Sequence, residues 1–297
     1  MVHMKNLIKK ILILPQLFLV SLFFFIEKIL KFIFSEIISL NAREFFINRI
    51  ENETRLVKAN PFKKIPSFSL YTPNVLCLYR KVSFYTKEPE MLEWIEEYGN
   101  EDAVFFDIGA NIGIYSIYYS LYTKGRTYSF EPSVFNLKQL AKNVSINSLS
   151  EKITIIPNPL SDNTGISNFK VSDFTEGGAL NAFGVDYDYE NNKFESLVEY
   201  SILGMSLDNM VDKGLIKELP SLIKIDVDGI EHLILSGATK TLSNEKCKSV
   251  YVEVNDDFKV QSKQVEKILT NCGFNLKEKR HSIEFDDTNI YNQIWIK

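Results

Sequence analysis

From residue 103 onward the chain alternates short apolar runs with helix-length segments, and this rhythm constrains the fold more tightly than any other feature. Residues 103–107 (AVFFD) form an apolar run that ends on a carboxylate, followed by a glycine-containing turn and a helix-length segment over 112–122. Strands are predicted at 126–130, 153–156, 222–226 and 249–254, with helices at 133–147, 229–242 and 260–271. In the first of these helices Leu137, Leu140, Ala141 and Val144 make a buried stripe. Alternation of this kind implies a parallel sheet covered by helices on both faces. The segments 274–279 and 291–297 are too close together for a helical crossover, so they are expected to pair antiparallel.

Upstream, 67–72 and 75–82 read as two short strands around the turn-forming Thr72-Pro73-Asn74. A helix is predicted over 88–98, with Pro89 in its first turn and Gly99 as its cap. The interval 165–204 breaks the rhythm: it is long and rich in Asn, Asp, Glu and Tyr, and reads as an insertion. The expected division is an N-terminal helical extension over 1–65 and an α/β domain over 66–297.

Charge separates these two parts. The whole chain has a net charge of −4, without the positive field that nucleic acid binding needs, so no nucleic-acid partner is expected. Residues 1–65 hold 11 Lys or Arg against 5 Asp or Glu, so the acidic excess lies entirely in the remainder. Lys5, Lys9 and Lys10 precede a charge-free run of 16 residues from Ile11 to Ile26, about 24 Å of helix. That is short of the roughly 20 residues that a bilayer span needs. No small-x-small cleavage site follows, which argues against a removed signal peptide. From Ile26 the spacing turns amphipathic, with Ile29, Leu30, Ile33, Ile37 and Leu40 on one stripe. With basic residues on both sides, residues 1–50 are expected to lie on an anionic membrane surface rather than cross it. The plainer reading is that these helices pack on their own domain or on a second subunit. The expected location is the cytoplasm, at the inner face of a membrane. Cys77, Cys247 and Cys272 are odd in number and widely spread, so neither a disulfide framework nor a zinc site is expected, and no metal is assigned.

The turn Asp107-Ile108-Gly109-Ala110-Asn111-Ile112-Gly113 sits where open parallel sheets bind nucleotides. Its spacing is DxGxxxG, whereas dinucleotide sites read GxGxxG. A carboxylate beside the turn would repel a pyrophosphate but suits a ligand with an ammonium or sulfonium cation, such as S-adenosylmethionine. Glu131 ends the second strand, 18 residues after Gly113, where a carboxylate accepts hydrogen bonds from both ribose hydroxyls. NAD enzymes share that second feature, so a nicotinamide-dependent oxidoreductase stays open at this point.

The fourth strand, LIKIDVDGIE, places Lys224 in an otherwise apolar run and sets Asp226, Asp228 and Glu231 at its carboxyl end. Lysine in a central strand is costly unless paired, so a nearby carboxylate is expected. In the functional reading Asp226 borders the cofactor, while Lys224, Asp228 and Glu231 position or deprotonate an acceptor. Glu253, near the end of the fifth strand, is a further candidate. In the plainer reading Lys224 neutralises a buried acid and Glu231 favours the start of the next helix.

DIGANIG, FEPS with Leu140, Asn143 and Asn147 behind it, PLSDNTG, MSLDNM, IKIDVDGIEHLILSGA and YVEVN together resemble the FkbM-type methyltransferases, a branch of the class I S-adenosylmethionine-dependent enzymes. The resemblance covers about residues 85–280. It implies a Rossmann-like sheet, mostly parallel with an antiparallel last strand, and methyl transfer to a hydroxyl of a sugar, glycolipid or polyketide-like acceptor. It also implies that Asp107, Gly109, Asn111, Gly113 and Glu131 hold the cofactor. At Asp228 the family more often has Glu. A third reading, a membrane-associated protein that binds cofactor without turnover, also stays open.

Overall fold

The structure, a computed structural model, describes residues 2–33, 36–59, 66–281 and 288–297, with side chains of the first two helices described at 13–33, at 40 and from 43 onward. Two units divide the chain, Met1–Glu53 and Thr54–Lys297.

In the first unit, α1 (Val2–Ile33) runs unbroken through Pro15 and is followed by α2 (Glu36–Glu51). Arg43 of α2 forms an ion pair with Glu27 of α1, and the Phe23 and Phe46 rings meet edge to face at 4.4 Å. The predicted apolar stripe is not a buried seam within this unit, since Ile29, Ile33 and Leu40 are all exposed, and the Ile37 side chain lies outside the described residues.

The second unit begins earlier than the expected residue 66, because β1 (Thr54–Val57) pairs antiparallel with β2 (Phe68–Tyr71). The segment expected as a second strand is a helix, α3 (Val75–Ser83). Asn74 is the reason: its side chain accepts the Cys77 amide proton at 2.8 Å, so the Thr-Pro-Asn triplet starts a helix instead of closing a hairpin. Next comes α4 (Pro89–Tyr98), as predicted.

The alternating core follows as β3 (Val104–Ile108), α5 (Ile114–Thr123), β4 (Arg126–Phe130), α6 (Val134–Ile146) and β5 (Ile153–Ile156). The insertion is a sheet of its own, with β6 (Gly165–Val171) between β7 (Asn181–Phe183) and β8 (Val198–Gly204). Its strands escaped the composition reading because β8 alternates half-buried and exposed residues, and a sheet with one wet face keeps polar side chains. Then α7 (Leu207–Asp212) leads to β9 (Leu222–Ile225), α8 (Glu231–Ser236) and α9 (Thr239–Ser243). The single helix expected over 229–242 is thus split. A Cβ on Gly237 would stand 2.2 Å from the Ser161 carbonyl oxygen, and the chain turns at this close approach. β10 (Ser249–Asn255), α10 (Lys259–Asn271), β11 (Asn275–Arg280) and β12 (Ile290–Ile296) complete the unit.

Among the described residues the main sheet has seven strands in the order β11-β12-β10-β9-β3-β4-β5. All neighbours are parallel except that β12 runs antiparallel to both β10 and β11. β3 and β9 are buried at every position, as strands covered on both faces must be. Alternate residues feed opposite cores: Phe106, Ile108, Val250 and Val252 face one, while Phe105, Leu222 and Tyr251 join Trp94 in the other. The chain leaves β3 toward β4 and β5, then crosses back to β9. This reversal opens a crevice at the carboxyl ends of β3 and β9.

Candidate active site

The crevice holds a cavity of about 340 Å³. Its floor is the first turn. Gly109 has φ +77°, and a Cβ there would stand 1.9 Å from the Asp226 carbonyl oxygen, so only glycine lets this turn lie against the end of β9. The Asn111 amide donates to Glu131 Oε2 at 2.7 Å, and the Ser133 amide donates to Glu131 Oε1 at 2.9 Å. Glu131 lines the cavity at the end of β4, and burial pushes its carboxyl up to about 7 against the pull of these amides.

Lys224 is the hub behind the floor. Its register opposite Asp107 on the neighbouring strand brings Nζ within 3.3 Å of Asp107 Oδ1, and within 3.5 Å of Asp226 Oδ2. It also donates to the Gly109 carbonyl at 2.7 Å. Burial alone would push this ammonium down. The charges of Asp226, Asp107 and Glu88 outweigh burial and hold it protonated above the ordinary lysine range. Asp107 is completely buried, and its other oxygen accepts from Ser116 at 2.5 Å. It therefore braces Lys224 from within the sheet and does not line the cavity. Gly113 is off the lining as well, packed so closely on Leu140 that a Cβ would come within 2.3 Å of it.

Asp226 does face the cavity. Burial raises its carboxyl, but Lys224, Lys87 and Arg80 more than offset this and hold it below the usual aspartate range. Asp228 also lines the cavity, in a left-handed conformation at φ 63°. Its Oδ2 accepts the Leu180 and Asn181 amides at 2.8 and 3.2 Å, which fastens the insertion to this loop. Burial and the Asp226 charge push Asp228 up to about 6. Glu231 turns away from the cavity: Oε1 accepts the Val227 and Gly229 amides at 3.1 and 3.2 Å, and Oε2 accepts Gln261 Nε2 at 2.5 Å. It staples the β9–α8 loop.

Sequence reading missed the opposite wall. Arg80, on the helix expected as a strand, donates to the Gly177 carbonyl at 2.8 Å, and Lys87 pairs with Glu88 at 2.9 Å. Glu88 accepts from the Tyr115 hydroxyl at 2.6 Å, and all four residues line the cavity. The Lys-Glu-Pro triplet conceals this wall, since two charges beside a helix-starting proline read as an exposed end, whereas Glu88 is buried. Asn136 reaches across as well: its amide donates to the Gly178 carbonyl at 3.1 Å and its Oδ1 accepts the Gly177 amide at 2.9 Å. Glu253 joins from β10, its carboxyl raised well above the ordinary value by burial and by Asp226, Glu88, Glu231 and Asp228.

A doubly wound sheet with its glycine turn at the switch point and an acid ending the second strand defines an α/β enzyme that binds a nucleoside-containing cofactor. Among such cofactors, an ionised Asp226 on the cavity wall opposes a pyrophosphate and suits a cationic sulfonium. The model of the family described as Methyltransferase FkbM domain matches residues 107–276, more than half of the chain, and the chain belongs to this family of S-adenosylmethionine-dependent methyltransferases. The nicotinamide reading falls with that membership.

A hexuronic acid methyltransferase, AglP, of Haloferax volcanii is 28% identical over 187 residues, covering 62% of this chain and 69% of that protein. Two solved structures are similar to the chain at low identity. A precorrin-6y C5,15-methyltransferase from Geobacter metallireducens gives a TM-score of 0.42 at 14% identity, covering 71% of this chain and 87% of the other. An rRNA methylase from Streptococcus thermophilus gives 0.42 at 12% identity, covering 69% and 92%.

The lining suits S-adenosylmethionine: Gly109 clears the floor, the Glu131 carboxyl lines the cavity at the end of β4, and Ile230, Ile234 and Phe183 supply an apolar wall.

Proposed function

We propose that the protein methylates a hydroxyl oxygen on a sugar acceptor, with Asp228 as the base. The observation that carries this reading is the cavity-facing Asp228, whose carboxyl stands at about 6 with Oδ2 committed to two backbone amides. Oδ1 is then left for an acceptor hydroxyl. A carboxylate with a pKa just below neutrality is ionised in the cell yet basic enough to take a proton. The relative that acts on a hexuronic acid supports a sugar, and Arg80 and Lys87 add cations to the cavity wall where an acidic sugar would gain from them.

The cofactor supplies an electrophilic methyl carbon for in-line displacement, so the protein's contribution is positioning and proton removal. Glu131 would accept from the cofactor's ribose hydroxyls. Lys224 stays charged, holds the Gly109 carbonyl and keeps Asp226 ionised, where it would face the cofactor's cationic sulfur. Asp107, Gly113 and Glu231 act at one remove: the first braces Lys224, the second lets α5 approach α6, and the third fixes the loop that carries Asp228.

The test is an acceptor screen with labelled methyl donor on free and lipid-linked glycans, run on wild type and on Asp226→Asn and Asp228→Asn. Methylation of a sugar hydroxyl that both variants lose, with thermal stability largely kept, supports the reading. Transfer to a carboxylate, amine or carbon would overturn the O-methyl assignment. Cofactor binding without transfer to any glycan would favour the inactive cofactor-binding alternative.

A further inference from the structure

We propose that Arg80 binds the α-carboxylate at the methionyl end of the cofactor. Three cations line the cavity, and two are neutralised within the protein: Lys224 stands between Asp107 and Asp226, and Lys87 pairs with Glu88 at 2.9 Å. Arg80 is the third, and among the described residues it forms no ion pair. Its partner is a neutral one. Nε donates to the Gly177 carbonyl at 2.8 Å, which orients the guanidinium and leaves both terminal nitrogens uncommitted. Glu176, the carboxylate next to that glycine, is engaged elsewhere: it accepts from Asn74 Nδ2 at 3.2 Å and faces Lys138 Nζ at 3.6 Å.

What the fork wants follows from its chemistry. Two terminal N–H groups held side by side match the two oxygens of a carboxylate. A cation on a cavity wall also loses hydration when a ligand fills the space, and that loss is offset only where the ligand brings an anion. S-adenosylmethionine carries one anion, its α-carboxylate, together with an ammonium and a sulfonium. The two cationic groups suit an ionised Asp226, and the carboxylate suits Arg80.

The contacts around Arg80 tie it to the floor of the cavity. Gly177, which it holds, is followed by Gly178, whose carbonyl accepts from Asn111 at 2.7 Å and from Asn136 at 3.1 Å. Asn111 belongs to the floor turn, and its own amide donates to Glu131. Arg80 is thus linked through one short loop to the glycine turn and to Glu131, and its charge also reaches Asp226 and Asp228. The carboxylate of an acidic sugar presents the same chemistry from the acceptor's side, so the test uses ligands of the cofactor alone. The inference rests on the cofactor of the family and not on the acceptor, and it can fail while sugar methylation stands.

The test is calorimetry on the full chain with no acceptor present. Its ligands are S-adenosylhomocysteine, the decarboxylated analogue S-adenosyl-3-thiopropylamine, and methylthioadenosine, which lacks the whole amino-acid end. Wild type should bind S-adenosylhomocysteine at least about tenfold more tightly than the decarboxylated analogue, the lower end for hydrogen bonds to a charged group. Arg80→Gln should weaken S-adenosylhomocysteine by roughly 10- to 100-fold and leave the other two ligands within about twofold. Arg80→Lys, which keeps the charge and loses the fork, should fall between. Equal weakening of all three ligands would overturn the assignment and leave Arg80 as a brace for Gly177. An unchanged Kd for S-adenosylhomocysteine in Arg80→Gln would overturn it as well and turn the fork toward the acceptor. Should Arg80→Gln fail to fold, the wild-type comparison still decides, because equal affinity for S-adenosylhomocysteine and its decarboxylated analogue would leave the carboxylate without a seat.

Discussion

α1 carries no charge from Ile11 to Ile26 and leaves Leu17 to Val20 exposed, whereas the catalytic unit buries Asp107, Lys224, Glu131 and Glu231 under the edge of its sheet. Each unit places its side chains where a water-soluble fold would not put them by default. The difference teaches what each placement requires. Exposed apolar surface requires an apolar surrounding, while a buried charge requires a partner at hydrogen-bonding distance, and in the catalytic unit every one of these groups has such a partner.

The largest effect should come from breaking that pairing. Lys224→Met leaves Asp107 buried without its cation, and a loss of about 3–5 kcal/mol in urea denaturation is expected. Adding Asp107→Leu removes the stranded charge and should recover a large part of that loss. If the double variant is no more stable than the single one, the pair is not the unit of stability.

Next in size is Asp228→Asn, which keeps the side-chain shape and should lower kcat by roughly 100- to 1000-fold with a small change in Tm. The wild-type rate should rise with pH through about 6, as Asp228 loses its proton, and then level off. A surviving rise near 6 in the variant would move the titration to another group.

Glu131→Ala should weaken S-adenosylhomocysteine binding by about 1–3 kcal/mol, since charge-assisted bonds to the ribose are lost. Calorimetry reads this directly. An unchanged Kd would leave Glu131 as a brace for the Asn111 and Ser133 amides alone.

The smallest effect sharpens the comparison through pH. Glu231 is raised from its ordinary 4.5 to about 7 by burial, so the folded state binds its proton more tightly than the unfolded chain. Its contribution is fully present below about 4.5 and is lost as pH rises through about 7. Wild type should therefore lose stability between about pH 4.5 and about pH 7, and Glu231→Gln should flatten that slope. The same loss in both proteins would place the titration elsewhere, for instance at Glu131, which burial also lifts to about 7.

The order of strands and helices was legible because burial on both faces forces near-continuous apolar runs, as in VFFDI and LIKI. The glycine turn and the place of Glu131 on the cavity wall were legible because close backbone approach and the carboxyl end of a parallel strand fall at fixed positions along the chain. α3 was not, since its alternating apolar residues fit either period and the deciding contact is one side chain, Asn74, on one amide. Nor was the division of labour among the acids. Asp107, Asp226, Asp228 and Glu231 look alike in the sequence, but two face the cavity and two brace what lies behind it.

The sequence by itself determined the doubly wound sheet, because periodicity and spacing are local properties that survive without coordinates, and its motifs carried the resemblance that implied the family and its cofactor. Tertiary structure alone decided that Arg80, Lys87, Glu88 and Tyr115 share a wall with Asp228, and that Leu17 to Val20 of α1 stay exposed while Phe23 and Glu27 pack on α2. The physical reason is the same in both cases. Which way a side chain faces, and how far its charge is shielded, depend on neighbours brought from elsewhere in the chain, and no local pattern records them.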